Sequence, residues 1–409
     1  MKKILILTEE FRAMTNANGI CTKAIVDVLS QNNDVTVLSL LSTSEEHTAE
    51  KYNGVNVEYQ NNFWWELKDN PKAPTVEREV VKILRKVRNL LMRPFFPINS
   101  ISPVIRFYFK ACRLCERYNF DIVVCFFRPY ESFIVGTMLK KKFPALKVIH
   151  YMLDTLLNYI PPAKLLTKSF CHKRNLKLEY WGYTHCDAII NLLVQKESYE
   201  SDSRYDKVRH KLLYADIPLL KTRPKVSDTR IKKGTMVYAG SLVKEYRNPS
   251  YALNLFSLLP EKYQALFYCS GDCNDMVDEY SNKYKTISNG GYIKHELLEK
   301  KLEEADALIN FGNYRLNMIP SKIFEYFSFE KKIIHFYKDD EDTCLLYLKK
   351  YPYALLIDER NPLADNLDKI IKFLDNEKPV STRQAWRKDF YMNTPEYTAK
   401  LILEEDKKK

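Results

Sequence analysis

The stretch ILILTEEFRAMTNANGICTKAIVDVLSQNNDVTVL, residues 4–38, decides the fold class. The short apolar run 4–8 predicts a strand, and the apolar residues within 19–31 recur at helical spacing. A second short apolar run, 35–38, predicts the next strand. A strand, a helix and a strand in this order form a parallel pair with a right-handed crossover, so we predict an α/β protein.

The same alternation of strands and helices continues along the chain. The apolar run 122–127 predicts a strand covered on both faces, as in a parallel sheet. Residues 221–234 are polar and charged, and the alternation starts again after them. We therefore predict two Rossmann-like, doubly wound parallel-sheet domains that face a central cleft. The predicted parts are an N-terminal domain (1–220), a linker (221–234), a C-terminal domain (235–380) and a helical tail (381–409) that packs back toward the N-terminal domain.

Composition narrows the class of protein. Apolar residues make up 45% of the 409 residues and aromatic residues 13%, which excludes a chain that is disordered throughout. No run reaches the roughly 18 consecutive apolar residues of a transmembrane helix, and the run 4–7 is too short for a signal peptide. The nine cysteines are scattered and fit small core residues. We expect a cytoplasmic protein.

Much of the net charge of +12 lies in one segment, residues 82–117, with nine basic residues and one acidic residue. Prolines divide the segment into two predicted helices, and apolar and aromatic residues alternate with the basic ones. Such helices suit an anionic membrane surface, where each basic residue contributes about 1 kcal/mol. We predict docking at the inner face of the cell membrane through Arg85, Lys86, Arg88 and Arg93.

Two other interpretations of this segment stay open. The basic residues could form an ordinary solvated face on two core helices. They could also bind nucleic acid, but no helix-turn-helix, zinc-finger or RNP-like motif supports a nucleic-acid partner, and we expect none.

Two predicted strands of the second half end in residues that suit an anionic ligand. Ligands of open α/β sheets bind beyond the carboxyl ends of the strands. The first strand is followed by Gly240 and Ser241, a small turn that lets the backbone approach a ligand, and then by Lys244 and Arg247. A guanidinium can bind two phosphate oxygens at once, whereas an ammonium acts as a point charge.

The second motif is PSKIFEY, residues 320–326. Pro320 fits the first turn of a helix, and the amides of Ser321 and Lys322 would then point toward an anion. Lys322 adds a full charge, and Glu325, one turn later, can accept hydrogen bonds from sugar hydroxyls. An ordinary capped helix with a surface Lys–Glu pair would have the same spacing.

With these motifs the chain resembles a glycosyltransferase of the GT-B fold, and is most similar to family 4, or group 1, the type found in cell-surface polysaccharide synthesis. The resemblance covers nearly the whole chain. It rests on the two Rossmann-like halves, the linker, the Gly-Ser turn followed by an arginine, the block 320–326, and the strand-like KKII, residues 331–334, that follows this block.

The resemblance implies roles for these residues. It implies a metal-independent transferase that needs no cofactor and uses a nucleotide diphosphate-sugar as co-substrate. Arg247 and Lys322 would neutralise the donor diphosphate as the leaving group develops charge, which stabilises the transition state. Glu325 would hold the ribose hydroxyls, and Gly240, Ser241 and Ser321 would border the donor.

It also implies further positions. Tyr292 and Ile293 would pack near the base, Gly19 would lie close to the diphosphate and the sugar, and Asp154 would contact the sugar or the acceptor as a third catalytic residue. The family often carries a second acidic residue upstream of Glu325, and Asn317, an amide, stands in its place as a donor-binding candidate.

A metal site is not expected. Asp340 and Asp342 match the acidic pair of metal-using transferases, but the pair begins a predicted helix after a surface turn. We therefore name no metal ligand.

We predict a glycosyltransferase that moves a sugar to a lipid-linked or polysaccharide acceptor in bacterial-type cell-surface glycan synthesis. A GT-B-fold sugar-nucleotide epimerase is one alternative, and it would need acid and base side chains clustered in the cleft. A catalytically inactive GT-B-like subunit that supports a partner is another, and the amide at Asn317 favours it.

Overall fold

The computed structural model of the chain describes residues 1–9, 11, 17–41, 49–61, 80, 83–84, 86–88, 90–98, 100–157, 166–223, 231–312, 321–376 and 383–404. The chain separates into two compact units. The first unit is Met1–Pro218 together with Met392–Lys409, and the second is Leu219–Tyr391. Among the described residues, no helix is both long enough and apolar enough for a membrane crossing.

The strands of the first unit form one sheet. They are β1 (Lys3–Glu9), β2 (Asp34–Leu41), β3 (Glu50–Tyr52), β4 (Val55–Asn61), β5 (Ile122–Phe127), β6 (Lys147–Met152), β7 (Ala188–Leu192) and β8 (Leu212–Ala215). Their order is β3-β4-β2-β1-β5-β6-β7-β8, and among these described pairs only β3 and β4 run antiparallel. All six residues of β5 are buried, which confirms the strand predicted from its continuous apolar run.

Helices cover both faces of this sheet. They include α1 (Ala17–Leu29), α2 (Ile101–Tyr118), α3 (Tyr130–Lys142), α4 (Lys168–Thr184), α5 (Lys196–Glu200) and the C-terminal helix α13 (Pro395–Leu403). Neighbouring residues of β1 belong to opposite cores, because side chains alternate along a strand. Leu5 packs in the core with α2 and α3, whereas Ile4 packs in the core with α1 and α13.

Helix α13 belongs to the first unit although it ends the chain. The Tyr397 hydroxyl donates a hydrogen bond to the Tyr214 carbonyl at 3.3 Å, and Lys147 Nζ lies 3.4 Å from the Ile402 carbonyl. Ile402 itself is fully buried. The end of the predicted tail thus completes the core of the N-terminal unit.

The second unit repeats the architecture with a six-stranded sheet of parallel strands. The strands are β9 (Lys232–Ser241), β10 (Gln264–Ser270), β11 (Ile287–Asn289), β12 (Ala305–Phe311), β13 (Lys332–Tyr337) and β14 (Ala354–Asp358). The helices are α6 (Ser250–Phe256), α7 (Asn274–Lys283), α8 (His295–Glu304), α9 (Lys322–Ser328), α10 (Leu345–Leu348), α11 (Leu363–Asp375) and α12 (Arg383–Arg387). Strand β9 begins inside the stretch predicted as linker, because Lys232 pairs with Ala305 of β12.

Each sheet has one point at which the direction of chain winding reverses. In the first unit the chain winds outward from β1 in one direction and from β5 in the other, and in the second unit β9 and β12 are the corresponding neighbours. Loops that leave such strands at their carboxyl ends open a crevice in which α/β proteins bind ligands. A ligand is therefore expected to bind at the carboxyl ends of β1, β5, β9 and β12.

Candidate functional site

The turn after β9 is held by the strand beside it. Leu242 N donates to the carbonyl of Ser270, the last residue of β10, at 2.7 Å. Gly271 follows with φ of +110°, and a Cβ atom there would lie 2.1 Å from the Leu242 carbonyl oxygen. Only glycine allows this approach. The backbone of Gly240 and Ser241 is therefore fixed at the carboxyl edge of the sheet.

Arg247 bends back over the end of β9. Its backbone N–H donates to the Val243 carbonyl at 2.7 Å, and its Nη1 donates to the Ser241 carbonyl at 3.2 Å. Burial raises the pKa of the Tyr238 hydroxyl to about 12, and the nearby Arg247 guanidinium opposes that rise. The half-buried guanidinium thus lies beside the end of β9.

Helix α9 brings Lys322 and Glu325 to the same strand end. Lys322 Nζ lies 2.9 Å from Glu325 Oε2, and the two side chains are 30% and 11% exposed. Lys322 Nζ also lies 5.7 Å from the centroid of the Tyr326 ring. The Tyr326 hydroxyl accepts a hydrogen bond from Ala239 N at 3.1 Å, which ties α9 to β9.

Tyr326 is therefore the shared neighbour of both predicted cations. Burial raises its pKa well above the usual range, Glu325 adds to that rise, and Arg247 opposes it. Gly240, Ser241, Arg247, Lys322 and Glu325 thus lie around one strand end. This edge presents positive charge and one carboxylate, a combination suited to a phosphate ester that also carries hydroxyl groups.

The remaining residues of this unit that were predicted to bind the sugar donor have fewer contacts with this strand end. Ser321 is half-buried and occupies the N-cap position of α9, where its side chain makes no capping hydrogen bond. Tyr292 is 85% exposed and, with half-buried Ile293, follows β11 at the same sheet edge. Asn317 and Pro320 lie outside the described residues, and α9 begins at Lys322 rather than at the predicted 320.

The first unit has its own polar edge. Gly19 is buried in the first turns of α1, after β1, and Asp154 follows β6. Asp154 Oδ2 lies 3.5 Å from Nε of Arg128, which follows β5. Half-buried Glu131 is the second residue of α3; burial raises its pKa to about 7, and the Glu9 carboxylate at the end of β1 adds to the rise.

Sequence reasoning missed Arg128, Glu131 and Gly271. A usable signal existed for the first two, since both follow the apolar run of β5 at the point where its carboxyl end had to lie. No local signal marks Gly271, because its role depends on Leu242 from another part of the chain.

The predicted acidic pair does not form one site. Asp340 pairs with Arg360 at 2.8 Å on the surface. Asp342 is buried, because Gly312 leaves room for its carboxylate and His335 Nε2 lies 3.1 Å from Oδ2. It does not begin the predicted helix, because α10 starts at Leu345.

Three side chains of kinds that can bind metal ions, one of them that of Asp342, do lie close together. Among the described residues, His335, Asp342 and Cys344 have potential metal-ligating atoms within 4.8 Å of one another. Hydrogen bonds already join the group: Asn310 Nδ2 donates to His335 Nδ1 at 2.9 Å, and Cys344 N donates to Asp342 Oδ1 at 2.8 Å. These hydrogen bonds explain why the three side chains lie together: they hold the loop after β13 in place.

The predicted membrane-docking segment exposes apolar side chains. Ile83, Leu84, Val87, Leu90 and Leu91 are between 48% and 67% exposed. Among the basic residues, Lys86 is exposed and Arg88 and Arg93 are half-buried, whereas Arg85 lies outside the described residues. Arg174 of α4 holds the end of this segment by donating to the Phe96 carbonyl at 3.0 Å.

Solved structures with the same fold include enzymes of sugar transfer. HepE of Anabaena, solved in complex with UDP and glucose, is 11% identical with a TM-score of 0.57 and 98% coverage of both chains. The lipopolysaccharide outer core galactosyltransferase WaaB is 11% identical with a TM-score of 0.54, covering 98% of this chain and 99% of WaaB. A trehalose-6-phosphate protein from E. coli, bound with UDP-2-fluoro glucose, is 10% identical with a TM-score of 0.58, covering 98% of this chain and 97% of that protein.

No protein-family model and no curated protein matches the sequence. At identities of 10–11%, the structural similarity establishes the fold alone and does not establish the reaction. The chain has the fold of the GT-B glycosyltransferases, with two Rossmann-like domains in tandem.

Proposed function

We propose that the chain is a glycosyltransferase that uses a nucleotide diphosphate-sugar as donor. One observation carries the proposal: both cations lie at the end of β9, the carboxyl edge where the winding of the second sheet reverses. Arg247 donates to the Ser241 carbonyl, and Lys322 lies over the ring of Tyr326, whose hydroxyl accepts from Ala239 N. Two cations at that edge suit a diphosphate, and Glu325 beside them suits the hydroxyls of a ribose.

The proposed chemistry needs these two cations at the leaving group. The bond between the anomeric carbon and the donor phosphate oxygen breaks, and a bond to an acceptor hydroxyl oxygen forms. The proton of that hydroxyl is released to the departing diphosphate or to water. The nucleotide diphosphate leaves with the bonding electron pair and gains negative charge. Arg247 would bind two of its oxygens and Lys322 would act as a point charge, so this charge is stabilised as it forms. We propose that no metal ion is required for this neutralisation.

Lys322 would exchange partners when the donor binds. Without a donor its ammonium pairs with Glu325 at 2.9 Å. A diphosphate would draw the ammonium away, and the freed carboxylate could accept hydrogen bonds from the ribose. Glu325 is buried, so breaking the pair is costly unless other hydrogen bonds replace it. Charge-assisted bonds from Lys322 to phosphate and from the ribose hydroxyls to Glu325 would offset that cost.

Structures of similar fold support the donor class. HepE was solved with UDP and glucose, and the E. coli protein with UDP-2-fluoro glucose. A uridine diphosphate-sugar is therefore the first donor to test.

The proposed acceptor is lipid-linked or part of a polysaccharide, as in bacterial-type cell-surface glycan synthesis. The exposed apolar residues between 83 and 91, together with Lys86, Arg88 and Arg93, support peripheral binding to the inner face of an anionic membrane. The name of WaaB places that protein in lipopolysaccharide synthesis, which is a reaction of this acceptor class.

Nucleotide binding tests the donor site. A nucleotide diphosphate at 100 times its Kd stabilises a folded chain by about 2.7 kcal/mol, which a thermal-shift assay detects. We expect Arg247→Ala and Lys322→Ala each to weaken binding by about 10- to 150-fold, the loss of one charge-assisted contact of about 1.5–3 kcal/mol. Lys262→Ala is the control, because this exposed lysine precedes β10 at the opposite sheet edge.

The outcomes separate the proposals. Unchanged binding in both site variants would remove the donor site from this edge. Transfer of labelled sugar to an extracted lipid or glycan acceptor supports the transferase, whereas conversion of the donor sugar to its epimer would favour the epimerase alternative.

A further inference from the structure

Helix α2 divides its surface into three sectors. One sector is buried against the sheet and α3, and it contains Val104, Phe107, Ala111, Leu114 and Cys115. The second is exposed and apolar, and it contains Ile101 at 44%, Ile105 at 46% and Phe109 at 58% exposure. The third is basic and contains Arg106, Lys110, Arg113 and Arg117. A helix on the surface of a globular domain usually has one apolar face, which packs on the core. The second apolar sector therefore indicates a contact with something outside the core.

The basic sector lines a groove together with β4. The groove has a volume of ≈ 620 Å³, and Glu58, Gln60, Phe109 and Leu114 complete its lining beside the four basic residues of α2. Lys110 Nζ lies 3.1 Å from Glu58 Oε2 and donates to the Tyr59 carbonyl at 2.7 Å. Glu58 thus neutralises one cation, and the lining keeps an excess of positive charge.

The excess charge consists of arginines. Arg106, Arg113 and Arg117 are exposed and lie along one side of α2. Their spacing along the helix extends over about 16 Å at 1.5 Å per residue. Guanidinium groups bind pairs of phosphate or carboxylate oxygens and are less strongly hydrated than ammonium groups, so a row of them suits a phosphate group that offers several oxygens.

We propose that this groove binds the head group of a lipid that ends in a phosphate monoester or diphosphate. The arginine sector would hold the terminal phosphate, and Phe109, which lines the groove and is exposed, would contact the first part of the hydrocarbon chain. Ile105 and Ile101 extend that apolar surface along the same helix. This inference rests on the proposed function, because it gives membrane docking a preferred lipid.

A head-group site differs from docking by charge alone. Lys86, Arg88 and Arg93 lie on the separate segment before α2, and they would attract the protein to any anionic membrane. Such a general attraction depends on the surface potential of the membrane and not on the kind of phosphate group. A terminal phosphate offers three oxygens and up to two charges, whereas a phosphodiester offers two free oxygens and one charge. Preference at matched surface potential therefore distinguishes the two modes.

The experiment uses the full chain and two sets of phosphatidylcholine vesicles. One set contains phosphatidic acid, and the other contains enough phosphatidylglycerol to give the same measured surface potential. We expect tighter binding to the phosphatidic acid vesicles. Arg113→Gln with Arg117→Gln should weaken this binding by about 25-fold, at about fivefold per cation, and remove the preference. Arg113→Lys with Arg117→Lys keeps the charge but loses the paired geometry, so the preference should fall while general binding remains.

A control with the same loss of charge is Lys207→Gln with Lys400→Gln, two exposed lysines of the first unit, which should keep the preference. Equal binding of the unaltered chain to both vesicle sets would overturn the groove assignment, as would an unchanged preference in the arginine variants. Full competition by millimolar glycerol phosphate would also overturn it, in favour of a soluble phosphate ligand. Absence of binding to either vesicle set would overturn membrane docking as well, while retained nucleotide binding would leave the donor site standing.

Discussion

The Tyr326 hydroxyl is the group that most directly joins the two halves of the donor site. It accepts from Ala239 N at 3.1 Å, and the pairing of β9 with β12 ends before this point, at Val237 and Leu308. The hydroxyl therefore substitutes for a strand partner at the end of β9. Tyr326→Phe leaves the ring in the core but removes the acceptor from a buried N–H, which costs about 1–3 kcal/mol.

The loss of this hydrogen bond should also weaken ligand binding. Gly240 and Ser241 follow Ala239 directly, so a loosened strand end must be ordered again when a nucleotide binds. We expect about 0.7–1.4 kcal/mol of this cost to appear in binding, so the affinity for a nucleotide diphosphate should fall by about threefold to tenfold. Native-state hydrogen exchange should also show faster exchange at the Ala239 amide, and calorimetric titration measures the affinity.

The matched control removes another hydrogen-bonded tyrosine hydroxyl from the same unit. Tyr263 Oη lies 2.7 Å from Asp375 Oδ1 at the opposite sheet edge. Tyr263→Phe should lower stability while keeping the nucleotide affinity. The reasoning is refuted if Tyr326→Phe changes neither the exchange of Ala239 nor the affinity, or if both variants lose affinity equally.

Three further predictions concern stability. Gly271→Ala should lower the urea midpoint of the second unit by the equivalent of about 1–3 kcal/mol, since its φ is +110° and a Cβ would lie 2.1 Å from the Leu242 carbonyl; an unchanged midpoint contradicts this. Burial raises the pKa of Glu179 from 4.5 to about 7, so the folded chain keeps a proton that the unfolded chain releases between these values. Stability should therefore fall as pH rises through this window, by up to about 3 kcal/mol, and Glu179→Gln should flatten this part of a pH series of unfolding curves. Thr394→Ala removes the cap that accepts from Tyr397 N at 3.2 Å, and it should destabilise the first unit by about 0.5–2 kcal/mol in thermal unfolding, with Thr394→Ser restoring most of the loss.

Short runs of consecutive apolar residues made the buried strands predictable from the sequence. The run 122–127 was predicted as a strand and is β5. The run 35–38 was predicted as a strand and lies inside β2, which extends over Asp34–Leu41. The start of β9 was missed because Lys232 and Lys233 are exposed, and only the partner strand reveals that they continue the ladder.

Spacing along a helix made part of the site predictable. Lys322 and Glu325 were expected on one side of a helix, and their charged atoms lie 2.9 Å apart. Asp154 was expected to contact the sugar or the acceptor, but its neighbour Arg128 was not foreseen. The burial of Asp342 was also missed, because it depends on Gly312 and His335, which lie on other elements.

The sequence by itself determined the α/β class, the two sheet domains and the basic segment, because each follows from residues that are neighbours or one helical turn apart. Only the tertiary structure decided that Tyr326 reaches Ala239, that Glu131 lies near Glu9, and that the basic sector of α2 faces β4. Those contacts join residues far apart in the chain. Strand order and register bring them together, and these depend on how the whole sheet assembles and not on any local pattern.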